Sequence, residues 1–167
     1  QGLIDPKIVR LALDSLDKVA VYKGIEINMN GVGKADVEIY KNPYSELHEY
    51  WIYCPQVFNE AYPGEINDEF RAVQSLLYRK ATLRFIKDLA SSGELKKSLL
   101  LSASEVNTTF AFPEAIEDVY THDPIFADLV KHHYNHTIVP AGLPRFPSTM
   151  FDRLHIAERF RNIIHDG

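Results

Sequence analysis

The hydrophobic spacing of this chain changes near residue 67, and that change constrains the fold more than any other feature. Up to residue 66 the apolar residues alternate or cluster in short β-branched and aromatic runs, with turn signals between them. From residue 67 onward they recur at helical spacing, with short apolar runs in between. A period near two specifies strands and a period near 3.6 specifies helices, so the chain must combine both. We divide it accordingly into a strand- and hairpin-rich part at 3–66 and a β/α segment at 67–167, both within one domain. A length of 167 residues suits a single core.

In the first part, residues 5–16 fit a helix and a strand equally well. Val19–Tyr22 and Ile25–Met29 read as strands. Asn30-Gly31 is a hairpin turn signal, and Asp36-Val37-Glu38-Ile39-Tyr40 alternates as a half-buried strand does. Asn42-Pro43 breaks the pattern. Tyr50-Trp51-Ile52-Tyr53-Cys54 reads as a strand buried on both faces. Its aromatic rings could stack on a sugar, although strand spacing points first to core. In the second part, Asp68 is a suitable N-cap for a helix reaching about Leu89, and Ser91-Ser92-Gly93 ends it. Leu99–Leu101 predicts a buried strand, 107–118 a helix, 123–131 a helix, and His136–Val139 a further strand. Pro140, Gly142, Pro144 and Pro147 punctuate a loop, and helix returns from about 148. Strand, helix, strand, helix predicts a parallel sheet with right-handed crossovers.

Composition narrows the function classes. Hydrophobic residues are 46% and charged residues 25%, ordinary for a folded domain. A formal charge of −5 gives no support to nucleic-acid binding. No apolar run is long enough to cross a bilayer, and a membrane partner is not expected. The single cysteine, Cys54, leaves no internal disulfide, and a reducing, cytoplasmic setting is the natural expectation. Gln1-Gly2 reads as a protease-site remnant and is left out of the fold reading. No phosphate-binding glycine loop of the Walker or dinucleotide type is present.

Three stretches, in this order, carry a resemblance. They are Asp68-Glu69-Phe70-Arg71-Ala72-Val73-Gln74 followed by Leu83-Arg84-Phe85; Ser104-Glu105-Val106-Asn107 continuing to Phe112-Pro113-Glu114; and Asn135-His136-Thr137-Ile138-Val139-Pro140-Ala141-Gly142 with Arg145-Phe146-Pro147. Together they resemble the N-terminal lobe of the α-glucan (glycogen or maltodextrin) phosphorylases over roughly 45–165. The third stretch is the most specific. The resemblance implies a Rossmann-like parallel sheet flanked by helices, as part of a GT-B lobe, with an N-terminal β-hairpin region. It implies phosphorolysis of an α-glucan to glucose 1-phosphate. The pyridoxal phosphate of that reaction belongs to a lobe outside this chain, so no cofactor is expected here. The chain would be a fragment, inactive alone. A rival reading is a non-catalytic carbohydrate-binding or interaction module. For an excised half-lobe, self-association through the unpaired strand edge and uncovered apolar face is expected.

The resemblance also assigns roles. His136 matches the histidine lining the glucose site and is the catalytic candidate; a neutral imidazole can hydrogen-bond a sugar hydroxyl. Glu105, Asn107, Asn135 and Thr137 are the substrate-binding candidates. Asn107 stands where the family usually has His and cannot carry its charge. Glu105 and Asn107 also suit helix capping, which is compatible with sugar contact. Arg71 and Gln74 are explained as well by structural bonds as by function, and Arg145 by a surface loop. His132, His133 and His136 invite a metal, since 132 and 136 are one helical turn apart, but a strand there would spoil that geometry. We expect no metal.

Overall fold

The computed structural model describes residues 6–29, 32–57, 68–95, 100–104, 122–127 and 130–134. In chain order the described elements are helix α1 (Pro6–Asp14), strands β1 (Asp17–Met29), β2 (Val32–Lys41) and β3 (Tyr50–Tyr53), helix α2 (Asp68–Ser91), strand β4 (Leu100–Ser104), a one-turn helix α3 (Pro124–Ala127) and strand β5 (Val130–Tyr134). The ambiguous stretch before Asp17 is thus helical, with Leu13 buried and Ile8 and Leu11 exposed.

Strands β1, β2 and β3 form one antiparallel sheet in that order. Met29 pairs with Val32 on either side of Asn30-Gly31, as a hairpin requires. The two short runs at 19–22 and 25–29 are one strand, because Lys23-Gly24 makes a bulge instead of a break. Gly24 takes φ 64° there, the left-handed region that favours glycine, and its N–H donates to Asp36 Oδ1 at 2.9 Å.

One face of this sheet is the core. Tyr22, Ile25 and Ile27 from β1 and Ala35, Val37 and Ile39 from β2 pack with Ala72, Val73, Leu76, Leu77, Ala81 and Phe85 of α2. Tyr50 and Ile52 of β3 lean on the same cluster, Tyr50 edge-on to Phe85 with centroids 4.8 Å apart. Tyr22 donates its hydroxyl to Asp88 Oδ2 at 2.6 Å, and Arg84 stacks over its ring. Lys80 donates to the Glu26 carbonyl at 2.7 Å. A second cluster joins Leu83 of α2 to Phe126 of α3, with Tyr78, Ile86, Leu101 and Ile125 around them. Helix α2 therefore carries apolar contacts to both the antiparallel sheet and the β4–α3 region, which is why its apolar residues exceed a single stripe.

The expected Rossmann-like parallel sheet is corrected by this topology. The main sheet is antiparallel, and among the described residues parallel pairing is confined to β4 and β5, a separate two-stranded pair running from Leu100↔Val130 to Ser104↔Tyr134. The reason lies in the connections. Strands β1, β2 and β3 are joined by links too short for a parallel crossover, which needs a dozen or more residues. The order β3–α2–β4 permits a crossover without requiring one, and β4 pairs with β5 instead of β3. Among the described residues no helix is long and apolar enough to cross a membrane.

Candidate functional site

The residues singled out for sugar chemistry, Glu105, Asn107, Asn135, His136 and Thr137, lie outside the described residues, as does Arg145. What the structure gives is their approach. Strands β4 and β5 are parallel and finish level, Ser104 opposite Tyr134, so both carboxyl ends point the same way. Glu105 and Asn135 are the next residues in sequence. The helix expected over 123–131 is the single turn Pro124–Ala127, followed by strand β5 at Val130–Tyr134, and the strand expected over 136–139 lies outside the described residues.

His132 lies in strand β5, where a helical spacing of ligands does not apply. His132 Nδ1 shares a hydrogen bond with Ser102 Oγ at 2.9 Å, directly across the ladder. Among the described residues no three metal-ligating side chains converge. Gln74 donates to the Val57 carbonyl at 3.0 Å, a structural tie between α2 and the chain leaving β3. Cys54 is buried, and burial pushes its thiol up, away from thiolate chemistry.

The most developed polar and aromatic arrangement is on the sheet face turned away from α2. Strand alternation puts Val19, Val21 and Lys23 of β1, Asp36, Glu38 and Tyr40 of β2, and Trp51 and Tyr53 of β3 on that side, and the register irregularity between Lys18 and Ala20 lets Lys18 join them against Glu38 and Tyr40. The aromatic run at 50–53, read as buried on both faces, is thus divided. Tyr50 and Ile52 join the core, while Trp51 stays 43% exposed. Among the described residues β3 is an edge strand of the sheet, α2 covers the face that carries Tyr50 and Ile52, and Trp51 stands opposite Tyr40 on the other face.

The charges on this face are matched in place. Lys18 Nζ lies 2.7 Å from Glu38 Oε1 and 5.3 Å from the centroid of the Tyr40 ring. Tyr40 donates its hydroxyl to the other oxygen of Glu38. Lys18, then Tyr40, hold the Glu38 carboxyl below the usual range. Lys23 Nζ lies 2.8 Å from Asp36 Oδ2, and Lys23 first, then the Gly24 N–H, lower that carboxyl too. Glu49 is held by neutral donors. Trp51 Nε1 donates to its Oε1 at 2.7 Å and Asn42 Nδ2 to its Oε2 at 2.9 Å, and these bonds lower its pKa in that order. The indole N–H is therefore satisfied internally, and what Trp51 offers to a ligand is its ring surface.

Such a face can stack on an apolar ring or on the C–H face of a sugar while nearby amide, hydroxyl and carboxylate groups take hydrogen bonds. Sequence reasoning had the stacking idea but gave the whole run to the core. The available signal was the Glu49-x-Trp51 spacing, which puts an acceptor and the indole on the same side of an extended chain. No family model matches the chain, no curated protein is detectably similar to it, and no solved structure matches its fold, so its function has to be argued from its own residues.

Proposed function

We propose that this chain is a non-catalytic carbohydrate-binding module that lays a segment of α-glucan against the outer sheet face around Trp51. One observation carries the reading: an indole left 43% exposed on a sheet face, with its only donor already satisfied by Glu49. The flanking charges are neutralised within the face, Lys18 by Glu38 and Lys23 by Asp36, which favours a neutral polyhydroxyl ligand over a strongly charged one. The glucan class comes from the phosphorylase resemblance. The test is co-sedimentation with glycogen and affinity electrophoresis in maltodextrin. The parent protein should be retarded and Trp51→Ala should lose about tenfold in affinity, about 1.4 kcal/mol. Equal mobility with and without glucan counts against the proposal.

A second reading is that the chain comes from an α-glucan phosphorylase, with Glu105, Asn107, Asn135, His136 and Thr137 around the sugar. The level carboxyl ends of β4 and β5 favour it, since ligands commonly sit beyond the carboxyl ends of parallel strands. The antiparallel main sheet removes its architectural support. Its pyridoxal phosphate is assigned to a lobe outside this chain, and no residue of this chain is given a part in holding it. Release of glucose 1-phosphate from maltodextrin and inorganic phosphate, by the protein carrying such a lobe and abolished by His136→Ala, would establish it. No release would dismiss it.

A further inference from the structure

The connector between β2 and β3 is built around one side chain. The Asn42 N–H donates to the Glu49 carbonyl at 3.0 Å, and the Glu49 N–H donates to the Leu47 carbonyl at 2.8 Å. The Asn42 side chain bridges the turn: its Oδ1 accepts the Tyr44 N–H at 3.0 Å and its Nδ2 donates to Glu49 Oε2 at 2.9 Å. That leaves Glu49 Oε1 for the Trp51 indole at 2.7 Å. The order of dependence is therefore turn, Asn42, Glu49, indole. Trp51 stands on the four-residue strand β3, at the edge of the sheet among the described residues, at 43% exposure. An exposed side chain with two free torsions loses conformational entropy when a ligand orders it, and a bond that orders it beforehand removes that cost.

We propose that Glu49 is the positioning residue of the Trp51 platform, fixing the plane of the indole through its Nε1–H, with Asn42 fixing Glu49 in turn. Glu49 touches the ring that meets the ligand and need not touch the ligand itself. The inference rests on the reading that Trp51 takes a saccharide, and its test separates the two. Trp51 is the only tryptophan, so intrinsic fluorescence reports this ring alone. In the absence of any ligand, Glu49→Ala should lower the steady-state anisotropy and red-shift the emission, with the far-UV circular dichroism unchanged. Glu49→Gln keeps an acceptor for the indole and should stay near the parent. Asn42→Ala should fall between them. With maltoheptaose, Glu49→Ala should bind about three- to tenfold more weakly, the cost of ordering one side chain on binding. Unchanged anisotropy and emission in a folded Glu49→Ala protein would overturn the positioning role. Should Glu49→Ala fail to fold, Asn42→Ala decides: loosening of the ring supports the role and none overturns it. A loosened ring in Glu49→Ala together with no maltoheptaose binding by the parent would keep the positioning role and retire the saccharide reading.

Discussion

The antiparallel sheet and the parallel pair are both made of short apolar runs, yet they are built to different standards. In the first, one face is closed by α2 and the other carries its charges in matched pairs. In the second, Leu101 turns toward the α2–α3 cluster while Leu100 and Val130, paired with each other, are each 61% exposed. Parallel strands are normally covered on both faces. The difference teaches that hydrophobicity of a run does not fix its burial; the number of elements able to cover it does. Leu76 and Leu100 are the same residue type, and only the first, on α2, is buried in the cluster that α2 makes with the antiparallel sheet.

The comparison breaks most sharply in the core. Leu77→Ala, at a position with no exposure, should cost about 2–5 kcal/mol through lost transfer energy and the cavity left behind. Leu100→Ala should cost less than about 0.5 kcal/mol, as an exposed position does. Urea denaturation of the two variants measures both, and similar losses would mean that the parallel pair is closed after all. Next in size is Gly24→Ala. A Cβ there would meet Lys34 Cδ at 3.7 Å, ordinary contact, so the cost is the left-handed backbone alone, about 1–2 kcal/mol. A neutral result would say the bulge relaxes. Tyr22→Phe, which removes the hydroxyl bond to Asp88, should cost about 1 kcal/mol in the same assay.

Acid should act on the antiparallel sheet, and also on Asp123 before α3, whose carboxyl is lowered by Lys87 and then the Ile125 N–H. Asp36, Glu38 and Glu49 all have carboxyls lowered by their partners in the fold. A lowered folded value means the contribution is complete above the unfolded value and is lost as pH falls through the folded one. Stability should therefore hold from neutral down to about pH 4 and decline below it. Glu38→Gln should flatten that decline, read by thermal melts across pH. The smallest effect belongs to Lys23→Ala. Its ion pair with Asp36 is largely exposed, and such pairs are worth about 0–1 kcal/mol.

Much of the antiparallel half was legible in the sequence. Asn30-Gly31 marks the hairpin, residues 36–40 alternate, and Asp68 opens the long helix. These are local signals, and local backbone chemistry enforces them. Strand sense and sheet membership were not legible, because they depend on which elements meet across long stretches of chain. That is how β3–α2–β4 could be taken for a parallel crossover. The bulge at Lys23-Gly24 hid one strand as two. The site at Trp51 was obscured by its neighbours: Tyr50 and Ile52 make the run look uniformly apolar, and only knowing which face α2 covers separates them from Trp51.

The central claim is that the face opposite α2 binds a saccharide through Trp51, and one titration addresses it directly. The emission of the single tryptophan is followed as maltoheptaose is added to the full chain, with sorbitol as a control for bulk solvent effects. The account predicts a saturable blue shift with maltoheptaose and none with sorbitol, as a sugar ring covers the indole. Emission that stays unchanged up to millimolar maltoheptaose, or that responds equally to sorbitol, would contradict it.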